Sequence, residues 1–278
     1  LIVPEKTVRR LRRILVIRPG GMGDLILLLP ALRALRSRVD DGCEIDVICE
    51  RRNREVLSLA GWPGGVLTYD TRPLATVARL LSTPYDLALD SEQFHHFSAV
   101  FSWLSGASGR VGFKINPVRN PIYTHLVDYD PEAAESEQFA ALLRPLGISG
   151  IDAEPGGVLV RGDAARLPDV PPAAAADALG HGRPLVVVHP GGSAAYKCWD
   201  PKKMITLIHH LIDGRGMNVA VVGAEADSAA QRRLRTGQWP GREHLFSLNG
   251  KLSLEETAAL IRSAALFVGA DSGLAHLA

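Results

Sequence analysis

Short apolar runs alternate with helical patterns along the whole chain. The runs are rich in β-branched residues and are apolar on both faces; they occupy 14–17, 45–49, 66–69, 87–89, 185–188, 219–222, 245–248 and 266–268. Strands of this kind, separated by helices, are typical of a parallel sheet that is covered on both sides. The pattern therefore predicts an α/β protein with parallel sheets.

The chain divides into two similar halves. Each half opens with a strand, a glycine turn and the start of a helix, and segment 161–184 between them is rich in proline, alanine and glycine. We predict an N-terminal Rossmann-like domain (1–160), a linker (161–184) and a C-terminal Rossmann-like domain (185–278). A length of 278 residues suits two domains. The chain lacks an initiating methionine and ends in a predicted first helical turn, so we expect the second domain to be incomplete.

Composition narrows the functional class. The chain is 46% hydrophobic and 22% charged, which is typical of a globular protein. Its three cysteines, Cys43, Cys49 and Cys198, form no C-x-x-C pair, which disfavours a disulfide framework or a structural zinc site. The longest apolar stretch, 25–32, is too short to span a bilayer. We expect a cytoplasmic protein.

Positive charge is concentrated at the start of the chain. The first 38 residues carry a net charge of +7, although the whole chain carries only +1. Such a segment is a candidate anion-facing surface. The alternative is that Arg9 to Arg13 solvate the beginning of the first strand. Arginines without interleaved aromatic residues are weak evidence for nucleic acid, and we expect none as a partner.

The first glycine turn carries an acidic residue. Gly20-Gly21-Met22-Gly23-Asp24 has neither the spacing of a dinucleotide-binding fingerprint nor that of a P-loop. Two interpretations of Asp24 remain open. It caps the following helix or interacts with the helix dipole, or it is a proton-transfer group at the mouth of the turn.

The second half contains several candidate anion-binding positions. Lys197 follows the turn His189-Pro190-Gly191-Gly192-Ser193 and is a candidate phosphate ligand, or it merely precedes a helix capped by Asp200. Backbone N–H groups of Ser272 and Gly273 would meet an anion at a further helix start. Glu225 follows a strand and is a candidate ligand for ribose hydroxyls, or a helix-start charge.

Other polar residues carry weaker signals. The pairs His95-His96 and His209-His210 have no accompanying carboxylate pattern, and we predict no metal site. Segment 90–120 is a candidate acceptor-binding region. Its basic residues either meet an acceptor or are solvated loop residues, and we favour the second interpretation; they are His95, His96, Arg110, Lys114 and Arg119.

Taken together, four segments resemble glycosyltransferase family nine, the ADP-heptose:lipopolysaccharide heptosyltransferases. The resemblance covers nearly the whole chain, and the segments are 13–24 with Leu29-Pro30-Ala31-Leu32, 189–193 with Lys197-Cys198-Trp199, Gly250-Lys251-Leu252-Ser253-Leu254-Glu255, and 271–277. It implies a GT-B fold, in which two Rossmann-like domains face a central cleft. The N-terminal domain would bind the acceptor and the C-terminal domain a nucleotide sugar.

The resemblance also implies roles for particular residues. Asp24 would be the catalytic base. The donor-binding residues would be Ser193, Lys197, Glu225, Leu252, Asp271, Ser272, Gly273 and His276, and the cleft glycines Gly20, Gly21, Gly23, Gly191 and Gly192. Family members invert the anomeric centre and need no metal or other cofactor.

We therefore expect transfer of a sugar, heptose from ADP-heptose, to a cell-envelope glycolipid such as the lipopolysaccharide core. The enzyme would be peripheral at the inner face of the cytoplasmic membrane, in reversible contact with an anionic surface. The alternative is a non-catalytic nucleotide-sugar-binding or scaffold protein of the same fold. A GT-B-like epimerase is disfavoured because the sequence does not reveal the several cleft acids and histidines that such an enzyme needs.

Overall fold

The computed structural model describes residues 8–151, 182–192, 195–223 and 240–278. The chain divides into two compact units, Leu1–Gly162 and Asp163–Ala278. Nearly all of the predicted linker, 161–184, lies outside the described residues, so its boundaries stay a prediction.

The first unit contains a six-stranded sheet in which every neighbouring pair is parallel. The order is β3-β2-β1-β4-β5-β6, which is the Rossmann order. The strands are β1 (Arg13–Ile17), β2 (Glu44–Cys49), β3 (Val66–Thr68), β4 (Leu87–Asp90), β5 (Gly109–Phe113) and β6 (His125–Val127).

Helices cover this sheet. They are α1 (Met22–Arg36), α2 (Arg54–Leu59), α3 (Pro73–Ser82), α4 (Phe97–Leu104) and α5 (Glu135–Ala141), with 3₁₀ turns at Arg51–Asn53, Asn120–Ile122 and Arg144–Leu146. Helix α1 is the apolar helix predicted after the first glycine turn, and most of it is buried. Leu80 of α3 and Phe101 of α4 pack on the same sheet residues, among them Leu15 and Ile17. Helices α3 and α4 therefore lie on one face of the sheet.

The second unit contains a four-stranded parallel sheet in the order β10-β7-β8-β9. Its strands are β7 (Leu185–His189), β8 (Asn218–Val221), β9 (Leu245–Ser247) and β10 (Leu266–Gly269). Its helices are α6 (Pro201–His209), α7 (Leu254–Ser263) and α8 (Gly273–Leu277), with a π-helical segment at His210–Gly214 and 3₁₀ turns at Ala195–Lys197 and Arg242–His244. Met204 and Ile208 of α6 pack on Val186 and Val219, because they fall on the apolar side of that helix.

The eight predicted strands are confirmed, and each end lies within one residue of its predicted position. Strands β5 and β6 were not predicted. The predicted start of α6 is also confirmed, since the Asp200 side chain accepts hydrogen bonds from the backbone N–H groups of Lys202 and Lys203. Within the described part of the chain, no helix is long and apolar enough to cross a bilayer.

Candidate active site

The first cluster of polar residues lies where the strand order of the first sheet reverses. Strands β1 and β4 are neighbours, and Ile17 is in register with Asp90. The segments that follow these strands therefore leave the carboxyl edge of the sheet side by side. In open parallel sheets, this switch point is where ligands bind.

Asp24 lies at this switch point, in the first turn of α1. The N-cap of the helix is Gly21, so Asp24 is not the capping residue, although it stays near the positive end of the helix dipole. The Arg18 guanidinium donates a hydrogen bond from Nη2 to Asp24 Oδ2 at 3.0 Å. The Asp24 side chain remains 39% exposed. The buried arginine thus orients the carboxylate, and the exposed part of the carboxylate can reach a ligand.

Arg18 is held from several sides. Only 4% of its side chain is exposed. Its Nη1 donates to the carbonyl oxygen of Ser91 at 2.7 Å and to Gln93 Oε1 at 3.3 Å, and the guanidinium lies 5.3 Å from the centre of the Phe139 ring. Arg18 therefore belongs to the interior, and counting it in a basic N-terminal surface was wrong.

Two more carboxyl groups surround the same guanidinium. Glu92 is almost fully buried, and its Oε2 lies 3.6 Å from Arg18 Nη2. Glu135 is hydrogen-bonded to Gln93 and accepts a hydrogen bond from Tyr129 at 3.1 Å. Burial raises the pKa of the Glu135 carboxyl; the Tyr129 hydrogen bond and Arg18 oppose this shift, and the nearby carboxylates of Asp24 and Glu92 add to it. Three acids therefore share one arginine.

Glycines make the turn before Asp24 possible. Gly20 has a φ of +115°, which L side chains rarely adopt, and a Cβ there would lie 3.2 Å from Arg18 Nη2. A Cβ at Gly21 would lie 3.2 Å from Asp24 Oδ2. The Asn53 side chain donates to the carbonyl oxygen of Gly20 and fixes the turn. Gly23 is the second residue of α1.

A buried ion pair supports the β4 side of this site. Arg119 Nη2 lies 3.2 Å from Asp90 Oδ2 and donates to the carbonyl oxygen of Glu92 at 2.8 Å. The Tyr123 hydroxyl donates to the same Asp90 oxygen at 2.6 Å. Complete burial raises the pKa of Asp90, and Arg119 and Tyr123 oppose that shift. The interpretation of Arg119 as a solvated loop residue was wrong, because it is 3% exposed.

The other residues of segment 90–120 have different surroundings. Arg110 donates to the carbonyl oxygens of Ile122 and Ala107, which ties the start of β5 to the following loop. Lys114 is exposed and lies 3.8 Å from Asp128. His95 and His96 are exposed just before α4.

The second cluster lies at the corresponding switch point of the other sheet. Strands β7 and β10 are neighbours, with Gly269 in register with His189. Lys197 follows β7, Asp271 follows β10, and Lys197 Nζ donates to Asp271 Oδ2 at 2.6 Å. This hydrogen bond and the charge of the lysine lower the pKa of Asp271. Two of the residues predicted to bind the sugar donor, Lys197 and Asp271, therefore lie together and pair with each other.

The residues around this pair are small or polar. A Cβ at Gly192 would lie 2.7 Å from Lys197 Cβ, so only glycine lets the lysine pack there. Ser272 is the N-cap of α8, and its buried hydroxyl oxygen has no hydrogen-bond partner in the part of the chain that the structure describes. A phosphate oxygen near Ser272 would satisfy that hydroxyl.

The remaining predicted donor residues are spread along the same edge. Gly191 lies beside the His189 ring, which bonds the carbonyl oxygen of Val222 and thus bridges β7 and β8. Leu252 is half-buried in the loop after β9, Gly273 begins α8 and His276 is exposed. Ser193 and Glu225 lie outside the described residues.

Sequence reasoning missed the supporting residues of both clusters. Glu92 and Glu135 lie around the arginine that orients Asp24, Arg119 was named only as a loop residue, and His189 was named only as part of a motif. Each lies far along the chain from its partners, so no local spacing could have revealed the contacts. Within the described residues, no group of three or more histidine, cysteine, aspartate or glutamate side chains is arranged to hold a metal ion.

Comparisons with known proteins give a consistent result. Two curated relatives are both lipopolysaccharide heptosyltransferase 3. One, from Escherichia coli, is 35% identical over 105 residues, which cover 37% of this chain and 30% of the relative. The other, from E. coli strain K12, is 26% identical over 275 residues, which cover 92% of this chain and 76% of the relative. The chain thus spans less than a third of the first relative's length.

A solved structure shares the fold. E. coli heptosyltransferase WaaC with ADP-2-deoxy-2-fluoro heptose is 19% identical, with a TM-score of 0.73 over 95% of this chain and 84% of that protein. Such a likeness shows the fold alone, and the predicted GT-B fold class is confirmed. Residues 74–278 match the model of "Glycosyltransferase family 9 (heptosyltransferase)". This match includes the Lys197 and Asp271 cluster and most of both units, and the chain belongs to glycosyltransferase family 9.

Proposed function

We propose that this protein is an inverting glycosyltransferase that transfers heptose from ADP-heptose to a hydroxyl group of a cell-envelope glycolipid such as the lipopolysaccharide core. Membership of family 9 supports the transferase class. The names of the two relatives support lipopolysaccharide as the acceptor class, and the ligand of the WaaC structure supports an ADP-heptose donor. The protein would work at the inner face of the cytoplasmic membrane.

The observation that carries the proposal is the arrangement of Asp24. It combines an exposed carboxylate, a switch-point position and a fixed orientation from buried Arg18. Asp24 would take the proton from the acceptor hydroxyl while the hydroxyl oxygen forms its bond to the anomeric carbon. The bond from that carbon to the donor's diphosphate breaks in the same displacement, and the configuration inverts.

The second unit would bind the leaving group. Lys197 would stabilise the negative charge that develops on the nucleoside diphosphate, and the buried hydroxyl of Ser272 would donate to a phosphate oxygen. The hydrogen bond from Lys197 Nζ to Asp271 Oδ2 orients the lysine ammonium. From the family resemblance, we also assign Ser193 and the Ser272–Gly273 turn to the diphosphate, Glu225, Leu252 and Asp271 to the nucleoside, and His276 to the donor site.

The experiment that tests the proposal incubates the protein with ADP-heptose, with and without a heptose-deficient lipopolysaccharide acceptor. We expect release of ADP and a heptosylated product with inverted anomeric configuration by NMR, only when acceptor is present. The same rate with and without a chelator is expected, because the proposed mechanism uses no metal.

Other results would contradict parts of the proposal. Donor binding without transfer to any acceptor would support a non-catalytic nucleotide-sugar-binding protein. Conversion of ADP-heptose without acceptor would indicate an epimerase. Retention of configuration would exclude the single displacement at Asp24, and loss of rate with the chelator would contradict metal independence.

A further inference from the structure

Several large apolar side chains of the first unit are exposed on neighbouring helices. Leu74 is 85% exposed and Leu81 is 66% exposed on α3. Exposed residues on and just before α4 extend the surface, and we call the whole set the α3–α4 face: Leu74, Leu81, Phe94, Phe97, Val100 and Trp103. Exposed apolar side chains concentrated on two neighbouring helices mark an interaction site more often than single scattered ones do.

The helical spacing explains why these side chains point outward together. Leu74 and Leu81 are seven residues apart on α3, and Val100 and Trp103 are three apart on α4, so each pair forms a stripe. The opposite sides of the same helices carry Leu80 and Phe101, which pack on the sheet. Since both helices cover one face of the sheet and contact each other, both stripes face away from it on the same side.

The charges of this region complement an anionic surface. Arg72, Arg79, His95 and His96 are exposed beside the apolar residues. Arg79 also lies 3.6 Å from Asp46, so its charge is partly compensated. Four carboxyl groups occur in segment 70–104. Asp90 and Glu92 are buried, Asp86 accepts hydrogen bonds from the backbone N–H groups of Arg12 and Arg13, and exposed Asp70 accepts one from the backbone N–H group of Arg51.

The α3–α4 face is connected to the candidate active site through Glu92. Glu92 accepts hydrogen bonds at Oε1 from the backbone N–H groups of Phe94 and His95, and its Oε2 lies 3.6 Å from Arg18. One buried residue therefore links the exposed aromatic segment to the arginine that orients Asp24.

The basic N-terminal segment lies elsewhere. Residues Arg9 to Arg13 line an open cavity of about 670 Å³ with residues around Gly42. This cavity is at the beginning of β1, whereas Asp24 follows the end of that strand. A five-residue strand is roughly 16 Å long, so docking through these arginines would hold Asp24 away from the bilayer.

We propose that the α3–α4 face docks reversibly on an anionic lipid bilayer. Aromatic and aliphatic side chains enter the headgroup and acyl-chain boundary, while the neighbouring arginines meet anionic headgroups. The docking would bring the segment at Phe94, and with it Asp24, next to a membrane-held glycolipid. It deepens the glycolipid-acceptor function proposed above and rests on it for its purpose, although vesicle binding can be measured without catalysis.

The experiment is co-sedimentation of the whole chain with vesicles containing phosphatidylglycerol, compared with pure phosphatidylcholine vesicles. We expect at least tenfold stronger partitioning to the anionic vesicles at low salt, with much of that difference lost near 1 M salt. The variant Leu74→Ser with Val100→Ser and Trp103→Ser should lose at least tenfold in partitioning. A matched variant changes three exposed apolar residues of the same unit, Ile115→Ser with Val118→Ser and Leu126→Ser, and should bind like the parent.

Two outcomes would overturn the proposal: no binding of the parent chain to anionic vesicles, or equal losses in both triple variants. If vesicle binding is absent and the parent self-associates in a way that the first triple variant abolishes, the face is an interface between two copies. Fluorescence thermal melts check that both variants fold. ADP binding of the parent chain is measured in parallel. If the parent does not bind ADP but binds vesicles, the proposed function fails while the docking proposal stands.

Discussion

The two units place a charged pair at the same topological position, but they hold it differently. In the first unit, the cation Arg18 is 4% exposed, and the acid Asp24 faces outward. In the second unit, Lys197 is 31% exposed and Asp271 is 67% exposed, so both partners reach solvent. We therefore expect the switch point of the first sheet to be rigid and that of the second to be adjustable.

The two pairs therefore differ in the free energy that is needed to break them. A solvent-exposed lysine–carboxylate pair contributes about 0–1 kcal/mol, so a diphosphate can replace or share it easily. Moving Arg18 would also break its contacts with Ser91 and Gln93 and would remove a cation from beside buried Glu92. In the reaction proposed above, a fixed Asp24 would align the acceptor hydroxyl, and an exchangeable Lys197 would let the leaving group depart.

We expect the largest effect from the substitution Asp24→Asn, which removes the proposed base of the first site. We expect turnover to fall by roughly 10²–10⁴-fold, because the amide keeps the shape but cannot accept the proton. Binding of ADP, measured by calorimetry, should stay within about twofold. Asp128→Asn, which changes an exposed carboxylate of the same unit, is the control and should leave turnover unchanged. Near-normal turnover of the Asp24 variant would remove Asp24 from the mechanism.

The substitution Arg119→Met tests the rigid side of the comparison through stability. It leaves the carboxylate of Asp90 buried without its cation, so the free energy of unfolding should drop by about 3–5 kcal/mol. The measurement is urea unfolding followed by circular dichroism. Lys114→Met removes an exposed cation of the same unit and should change stability by less than about 1 kcal/mol. Similar, small effects in both variants would show that the Asp90 network is not a stabilising element.

The fold was largely predictable because most strands are short, apolar and β-branched. Strands β5 and β6 escaped prediction for local reasons. The β5 sequence Gly109-Arg110-Val111-Gly112-Phe113 is interrupted by glycines and an arginine, and β6 has only three residues. Gly112 is required because a Cβ there would lie 2.6 Å from the Tyr123 ring. Pairing with neighbouring strands therefore overrides the weak strand tendency of these segments.

The site was predictable only in part. Asp24 and Lys197 stand in compact motifs, and the structure puts each at a switch point. Arg119 could not be paired with Asp90 from the sequence, because 29 residues separate them and no local pattern shows that an arginine will be buried. The pairing of Lys197 with Asp271 could not be predicted from the sequence either, because these residues are 74 positions apart. The motifs predicted the residues that we propose to face a ligand, whereas tertiary packing determines the residues that orient them.

The substitution Lys197→Met tests whether Lys197, in the adjustable second site, binds the diphosphate. Loss of a charge-assisted contact should weaken ADP binding by roughly 10–100-fold, which corresponds to about 1.5–3 kcal/mol. Adenosine binding should barely change, because adenosine lacks phosphates. Lys202→Met, on an exposed position of α6, is the matched control. Equal losses for ADP and adenosine, measured by calorimetry, would mean that Lys197 supports the fold of the site and not the diphosphate.

The smallest expected effect concerns how the two units respond to pH. Burial raises the pKa of Glu135 above its ordinary value of 4.5, so between pH 4.5 and the pKa of the folded protein, the folded state binds more protons than the unfolded chain. The free energy of unfolding therefore falls as pH rises from 4.5 through the pKa of the folded protein. Asp271 has the opposite shift: its stabilising contribution is present above 3.8 and is lost as pH falls below that value.

Urea unfolding between about pH 4.5 and 7 separates these two contributions. Over this interval, Glu135→Gln should lose less stability than the parent chain as pH rises, because glutamine keeps a hydrogen-bonding group and cannot ionise. Asp271→Asn should follow the parent profile, since the Asp271 transition lies at lower pH. If Glu135→Gln also followed the parent profile, the three acids around Arg18 would not compete for its charge, and the contrast between a crowded first site and an open second site would fail.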